Sequence, residues 1–315
     1  AGYNIIGLPV DGLKRRFTFK NISVLLKFIK SLTMAKKILM EFRPDVVVGV
    51  GGYASGPVLW QAGKMGIPTL IQEQNSYAGV TNKLLARRAS IICVAYDGMG
   101  KYFPAQKIIM TGNPVRQNLE NLESLIDEAQ SFFNLKAGPP VVLVLGGSLG
   151  AGSINNSLSE NIATLGNSDC QWLWQTGKYY FENVKERVSA SGFANIIVNG
   201  FINRMDYAYA AADVIISRAG AGTISELCLV GKPVILVPSP NVAEDHQTRN
   251  ALALSEKGAA VLIPDRQSTE SLADETLKLI SDPDKRRVLS ENISKLAFRN
   301  ADIRIAEEVM KLAER

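Results

Sequence analysis

Three stretches of the chain combine small residues with groups that bind anions or hydroxyls. The first is "SRAGAGTISE" (217–226), which follows the apolar run Val214-Ile215-Ile216. If that run is a strand, Gly220–Gly222 form a turn and Thr223-Ile224-Ser225-Glu226 the first turn of a helix. The amides of Ala221, Gly222, Thr223, Ile224 and Ser225 then line an anion pocket, because a helix start presents unpartnered N–H groups and the positive end of its dipole. Glu226 is a poor partner for phosphate but a good acceptor for two vicinal hydroxyls, as on a ribose. The alternative leaves Glu226 as a charge that merely favours the dipole.

The second stretch is "LGGSLGAGSIN" (145–155): a strand end, two glycines, and a helix from about Gly150, with Ser148 adding a hydroxyl. It reads either as a phosphate site or as a tight turn with no ligand. It lacks the lysine of a P-loop and the GxGxxG spacing of a dinucleotide fold. The third is "NVAEDHQTRNALAL" (241–254), where His246 and Gln247 sit at the entry to a helix. They suit hydrogen bonds to sugar hydroxyls; the alternative is an N-cap region with Asp245 as the cap. In the first half, Gln72-Glu73-Gln74-Asn75 is a polar cluster at a strand end. Such a cluster is costly to bury unpaired, so it faces solvent or carries function, with Glu73 and Asn75 as candidates. Arg116 lies where it could reach a phosphate or base.

These loops need strands to position them. Apolar runs recur at 45–50, 68–72, 90–96 and 107–112, and again at 141–147, 171–177, 195–200, 213–218, 233–238 and 259–264, separated by helix-like segments. Continuous Val/Ile/Leu runs between helices indicate parallel strands covered on both faces. The expected fold class is α/β, with two Rossmann-like doubly wound domains facing a cleft. The expected domains are 1–115, 116–300, and a C-terminal helix, 301–315, packing back on the first. Ligands of such sheets bind at the carboxyl ends of the strands, where all these loops lie. A doubly wound domain opens with a strand and its own loop. Residues 1–16 offer only a short apolar run and basic residues, so one strand–loop–helix unit is expected upstream.

The segment "KRRFTFKNISVLLKFIKSLTMAKKILMEF" interleaves Lys14, Arg15, Arg16, Lys20, Lys27 and Lys30 with Phe17, Phe28 and other apolar residues. It reads as a basic amphipathic helix suited to an anionic membrane surface; the alternative is a sheet-covering helix with a solvated cationic face. Nucleic acid is not expected as a partner, since the charge is local and no groove-reading motif accompanies it. The net charge of +5 over 315 residues, with 46% hydrophobic and 21% charged residues, describes an ordinary globular chain. No apolar run reaches the roughly 18–20 residues that span a bilayer. One histidine excludes a multi-histidine metal site, and three scattered cysteines read as reduced core residues of a cytosolic protein.

Taken in order, "PDVVVGVGGYASGP", "QEQNSYAGVTNKLLA", "GNPVR", "LGGSLGA", "WQTGK", "FINRM", "ADVIISRAGAGTISE" and "EDHQTRNALAL" resemble the MurG family, the GlcNAc transferases of peptidoglycan synthesis. The resemblance spans almost the whole chain. It implies a GT-B arrangement and transfer of GlcNAc from UDP-GlcNAc to the muramyl 4-hydroxyl of lipid I, with inversion. It implies no metal or cofactor. The implied place is the cytoplasmic membrane face, with the donor, lipid I, the anionic membrane surface and other wall-synthesis proteins as partners. By the same resemblance, Glu226 holds the ribose and Ile202 meets uracil through its backbone. Ala221 to Ser225, with Ser148, serve the diphosphate; Arg116 and Gln247 contact nucleotide and sugar; Asn75 lies near the GlcNAc. His246 falls where some members have glutamine. The family's Gly-Gly-Thr-Gly-Gly-His loop is absent from these residues, so the general base is unassigned and Glu73 is a substitute candidate. Little or no turnover by the 315 residues alone is then expected. The rival readings are a UDP-GlcNAc 2-epimerase and a non-catalytic nucleotide-sugar-binding module or scaffold.

Overall fold

The computed structural model describes residues 2–11, 20–147 and 149–314. The chain divides into two compact units, residues 1–113 with 300–315, and residues 114–299. Among the described residues, ten strands form, nine within the apolar runs above and one reaching a residue past its run, to Glu73.

In unit 1, β1 (Val47–Gly49), β2 (Thr69–Glu73), β3 (Ile91–Val94) and β4 (Ile108–Met110) pair in parallel in that order. Side chains alternate across the sheet, as the pleat requires. Ile71, Ile92 and Val94 enter a core with Leu39, Leu59 and Phe103. Leu70 and Cys93 point the other way, where Leu312 of the C-terminal helix (Ala301–Ala313) covers them. Burial pushes the Cys93 thiol up to about 11, and all three cysteines are buried and free. On the sheet's other face lie α1 (Lys20–Phe42), α2 (Gly52–Lys64) and α3 (Val80–Leu85). Ser31, Ala35 and Leu39 of α1 are buried at helical spacing, while Leu25, Leu26, Phe28 and Ile29 remain exposed. Lys27 pairs with Asp11 and Lys30 is exposed. Lys14, Arg15, Arg16 and Phe17 lie outside the described residues, and Lys20 opens α1.

Unit 2 runs α4 (Ile126–Phe133), β5 (Val141–Leu145), α5 (Gly152–Glu160), α6 (Ile162–Gly166), β6 (Gln171–Gln175), α7 (Phe181–Ser191), β7 (Ile196–Asn199) and α8 (Met205–Ala211). It continues with β8 (Val214–Ser217), α9 (Ala221–Val230), β9 (Val234–Leu236), α10 (His246–Ser255), β10 (Val261–Leu262), α11 (Ser268–Ile280) and α12 (Pro283–Ser294). The parallel sheet has the order β10-β9-β8-β5-β6-β7. Strands β5, β6, β8 and β9 are buried along their whole length, which is why their sequences are apolar without alternation except for Gln171, Gln175 and Ser217 at strand ends. Val144, Trp172, Trp174 and Ile216 pack with Ile154 and Leu158 of α5 and Leu272 of α11. Truncating either tryptophan to alanine would cost about 3–5 kcal/mol. The Trp174 indole donates to Asn155 Oδ1 at 2.9 Å, and Asn155 Nδ2 donates to the Thr176 carbonyl at 2.8 Å, so α5 is fixed against the end of β6.

From β5 the chain lays down β6 and β7 on one side, then returns to place β8 on the other. The carboxyl ends of β5 and β8 are therefore a topological switch point, where an open crevice forms. Both glycine-rich loops of unit 2 leave the sheet there.

Candidate functional site

The loop after β8 begins with Arg218 and a fully buried Ala219. Gly220 is the N-cap of α9 in extended conformation, with φ −67° and ψ 144°. The Ile224 amide donates to the Gly220 carbonyl at 2.9 Å, closing the first helical bond. The amides of Ala221, Gly222 and Thr223 precede that bond and point out of the helix start. A Cβ added at Gly222 would meet no heavy atom within 4 Å, so this face is open. The expectation for Ile224 needs correction: its side chain is only 2% exposed and its amide is spent in the helix. The Ser225 hydroxyl turns back to the Ala221 carbonyl at 3.1 Å.

Glu226 is held from two sides. Arg116 Nε lies 3.3 Å from its Oε1, and the Tyr209 hydroxyl donates to Oε2 at 3.1 Å. Burial, then the neighbouring Glu226 carboxylate, pushes the Tyr209 phenol far above its usual range, so it stays a donor. The structure thus brings Arg116 and Glu226 together on the edge of unit 2.

Gln247, in the first turn of α10, uses its carbonyl oxygen twice. Oε1 accepts the Ser239 amide at 2.9 Å and the Ala219 amide at 3.3 Å. That fixes the side-chain orientation and leaves Nε2 to act as a donor. Asn250 Nδ2 adds a bond to the Ala219 carbonyl at 3.3 Å. His246 opens α10 beside them, half-buried. Asp245 stands at the cap position but takes the Thr248 hydroxyl at 2.6 Å instead of a backbone amide. The Ile202 amide donates to Gln175 Oε1 at 2.9 Å, so only the carbonyl of Ile202 is left to meet a ligand.

The glycines after β5 have a different job from those after β8. Gly150 has φ +92°, and a Cβ there would lie 2.5 Å from the Thr176 carbonyl oxygen. Gly177, in the loop after β6, would place a Cβ 2.2 Å from the Gly150 nitrogen. These glycines let two loops pack on each other; the turn needs them with or without a ligand. Ser148 lies outside the described residues.

In unit 1 the polar cluster at the end of β2 is mostly paired within the protein, with Gln74 exposed. Gln72 Nε2 donates to Asn113 Oδ1 at 2.7 Å, and Asn113 Nδ2 to the Gln74 carbonyl at 3.0 Å. Glu73 is 3% exposed. It accepts the Asn75 amide at 3.1 Å, the Gly79 amide at 3.0 Å and Asn82 Nδ2 at 2.8 Å. A carboxylate so enclosed organises the 73–82 loop. This corrects its candidacy as a base, which requires a lone pair open to the substrate. Asn75 sits on that loop, its side-chain amide 3.5 Å from Glu73 Oε1.

Parallel α/β units, one carrying an anion-receptive helix start and a held carboxylate at its switch point, define the class: a GT-B glycosyltransferase. The glycosyltransferase family 28 N-terminal domain matches residues 1–94, and the family 28 C-terminal domain matches residues 141–307. The UDP-N-acetylglucosamine--N-acetylmuramyl-(pentapeptide) pyrophosphoryl-undecaprenol N-acetylglucosamine transferase of Bacteroides thetaiotaomicron is 58% identical, over 100% of this chain and 85% of its own. The crystal structure of MurG from Acinetobacter baumannii superposes with a TM-score of 0.74 at 30% identity, covering 91% of this chain and 79% of that one. The chain belongs to the MurG family of N-acetylglucosamine transferases. A UDP-GlcNAc 2-epimerase from Neisseria meningitidis, bound to UDP-GlcNAc, has a TM-score of 0.64 at 17% identity, covering 95% of this chain and 83% of that one; it shares the fold alone.

Two residues of the site escaped the sequence reading. Tyr209 stands in "MDYAYAAAD", a helix of small residues, where a buried phenol must find a partner. Arg218 follows a fully buried strand and needs an acid, which is Asp265. The type of residue carried the signal in both cases; the identity of the partner did not.

Proposed function

We infer that this protein is the GlcNAc transferase of peptidoglycan synthesis, moving GlcNAc from UDP-GlcNAc to lipid I to give lipid II. A bond forms between the muramyl 4-oxygen and C1 of GlcNAc. The bond from C1 to the diphosphate breaks, and UDP leaves with the electron pair while the acceptor hydroxyl gives up its proton. The observation that carries this reading is the start of α9, where open amides precede Glu226 by one helical turn. Charge grows on the diphosphate as C1–O breaks, and fixed amides at a helix start stabilise it without reorganisation. Ala221, Gly222 and Thr223 receive the diphosphate, with Ser225 and His246 bordering it. Glu226 takes the ribose diol beside Arg116, the Ile202 carbonyl accepts from the uracil imide, and Gln247 Nε2 donates to the sugar.

The acceptor is a membrane lipid, and unit 1 carries the surface suited to meet it. Leu25, Leu26, Phe28 and Ile29 of α1 are exposed beside Lys27 and Lys30. Val80 and Leu84 of α3 are exposed and followed by the exposed Arg87 and Arg88. Apolar anchors with cations favour an anionic interface. Among the described residues no helix is long and apolar enough to cross a membrane.

The test is incubation with UDP-GlcNAc and lipid I. The expected products are the disaccharide-linked lipid and one UDP per transfer, however slow the turnover. No binding of UDP-GlcNAc, or its conversion to the 2-epimer without acceptor, would overturn the reading. A Glu226→Ala protein that binds UDP-GlcNAc as well as the parent would remove the ribose assignment. Sedimentation with phosphatidylglycerol vesicles, weakened by salt, tests the membrane surface.

A further inference from the structure

Tyr209 is 1% exposed, on a helix whose neighbouring Ala208, Ala210 and Ala211 are also buried. For packing, a phenylalanine would fill the same space. A buried hydroxyl brings a desolvation cost that only a partner offsets, and its partner is a residue on the next helix, Glu226 Oε2 at 3.1 Å. Among the described residues, the ion-pair partner of Glu226 is the half-exposed Arg116, 3.3 Å from the other oxygen. A glutamate side chain has three rotatable torsions, and one ion pair to a half-exposed arginine is too weak to fix them. Without the phenol, the carboxylate is free to swing toward Arg116.

We propose that Tyr209 is a positioning residue for ribose recognition: its hydroxyl fixes the Glu226 carboxylate so that the remaining lone pairs accept the ribose diol of the donor. The proposal rests on the assignment of Glu226 to the ribose. It assigns Tyr209 no contact with substrate. Its value is preorganisation: a carboxylate already fixed loses less torsional freedom when the ribose binds. Because Tyr209 acts on one subsite, its loss should affect ligands that carry the full diol and spare those that lack it.

The experiment is calorimetric titration of the parent and of Tyr209→Phe with UDP and with 2′-deoxy-UDP. The parent is expected to prefer UDP by about tenfold. In Tyr209→Phe that preference should shrink by about threefold or more, while the affinity for 2′-deoxy-UDP stays within about twofold. A parent that does not distinguish the two ligands overturns the Glu226 assignment, and this inference with it. A parent that distinguishes them, with Tyr209→Phe keeping the full preference or losing affinity for both equally, overturns the inference alone. Failure of Tyr209→Phe to fold, seen by circular dichroism, also overturns it, because the hydroxyl would then be structural.

Discussion

Arg218 and Asp265, 47 residues apart in sequence, meet with Nη1 and Oδ1 at 2.5 Å. The same guanidinium donates to the Val237 carbonyl at 2.9 Å and, through Nη2, to Ser153 Oγ at 2.8 Å. One side chain therefore joins the loop after β8 to the start of α5, the end of β9 and the turn before α11. With 18% and 22% of the two side chains exposed, the pair is shielded enough for its loss to be felt.

Removing the acid leaves a cation among partly buried groups. Asp265→Ala should lower unfolding stability by about 2 kcal/mol, below the full cost of breaking a buried pair because some solvent remains. The donor's Kd should rise as well, since the α9 start loses an anchor. Denaturant unfolding and UDP titration measure the two effects; stability equal to the parent's would show that the clamp contributes nothing.

Gln247 separates two roles within one amide. Its oxygen holds the Ala219 and Ser239 amides, and its nitrogen is the proposed sugar donor. Gln247→Glu keeps the acceptor and removes the donor, so the melting temperature should change little while donor affinity falls about tenfold. Gln247→Leu removes both, and stability should fall by about 1–2 kcal/mol as two amides lose their partner. Equal stability losses in the two variants would contradict this division.

Glu73 offers a test of purpose. A residue kept for acid–base chemistry can usually be replaced without loss of stability, and sometimes with a gain. A carboxylate that collects the amides of Asn75 and Gly79 and the side chain of Asn82 cannot. Glu73→Ala should cost about 3 kcal/mol by leaving three donors unsatisfied. A variant as stable as the parent would return Glu73 to the list of candidate bases.

The central strands were legible because burial on both faces spells an uninterrupted apolar run, such as Val141–Leu145. The glycine loops were legible as loops, but their two purposes were not. Gly150 serves Thr176 and Gly177, residues on another loop, whereas Gly222 leaves space open. Glu73 was misjudged for a related reason. Its partners Gly79 and Asn82 follow six and nine residues later, and only the fold shows that the loop closes around the carboxylate. Local chemistry marks a residue as needing a partner; the tertiary register decides whether that partner is protein or ligand.

A pH test applies to the turn that carries Ile202. Arg204 donates to both oxygens of Asp206, at 3.0 Å and 2.7 Å, and these bonds hold the Asp206 carboxyl below its usual range. A lowered folded value means that the contribution is complete above the unfolded value near about 4 and fades as pH falls through the folded one. Asp206→Asn should therefore melt below the parent by a constant interval from about pH 5 to 8, and the interval should narrow below about pH 4. An interval that widens in acid would reverse the assigned sign.

Gly222 and Gly150 give the sharpest contrast. Gly222 is at the second position of α9 and an added methyl meets nothing within 4 Å, so Gly222→Ala should fold at least as well as the parent. Replacing a helical glycine with alanine restricts the unfolded chain and is expected to add about 0.5–1 kcal/mol. The same methyl would occupy the space in front of the Ala221 and Thr223 amides, where the diphosphate is proposed to lie. Affinity for UDP-GlcNAc should then fall by about tenfold or more, a gain in stability bought with function. Gly150→Ala runs the other way. Its φ of +92° and the backbone oxygen of Thr176 at 2.5 Å leave no room for a methyl, because neither the backbone nor the packed loop after β6 can yield. That variant should lose about 2–3 kcal/mol or fail to fold. Thermal melting and calorimetry on the two proteins separate the cases; a Gly222→Ala protein that binds UDP-GlcNAc like the parent would remove the diphosphate from the start of α9.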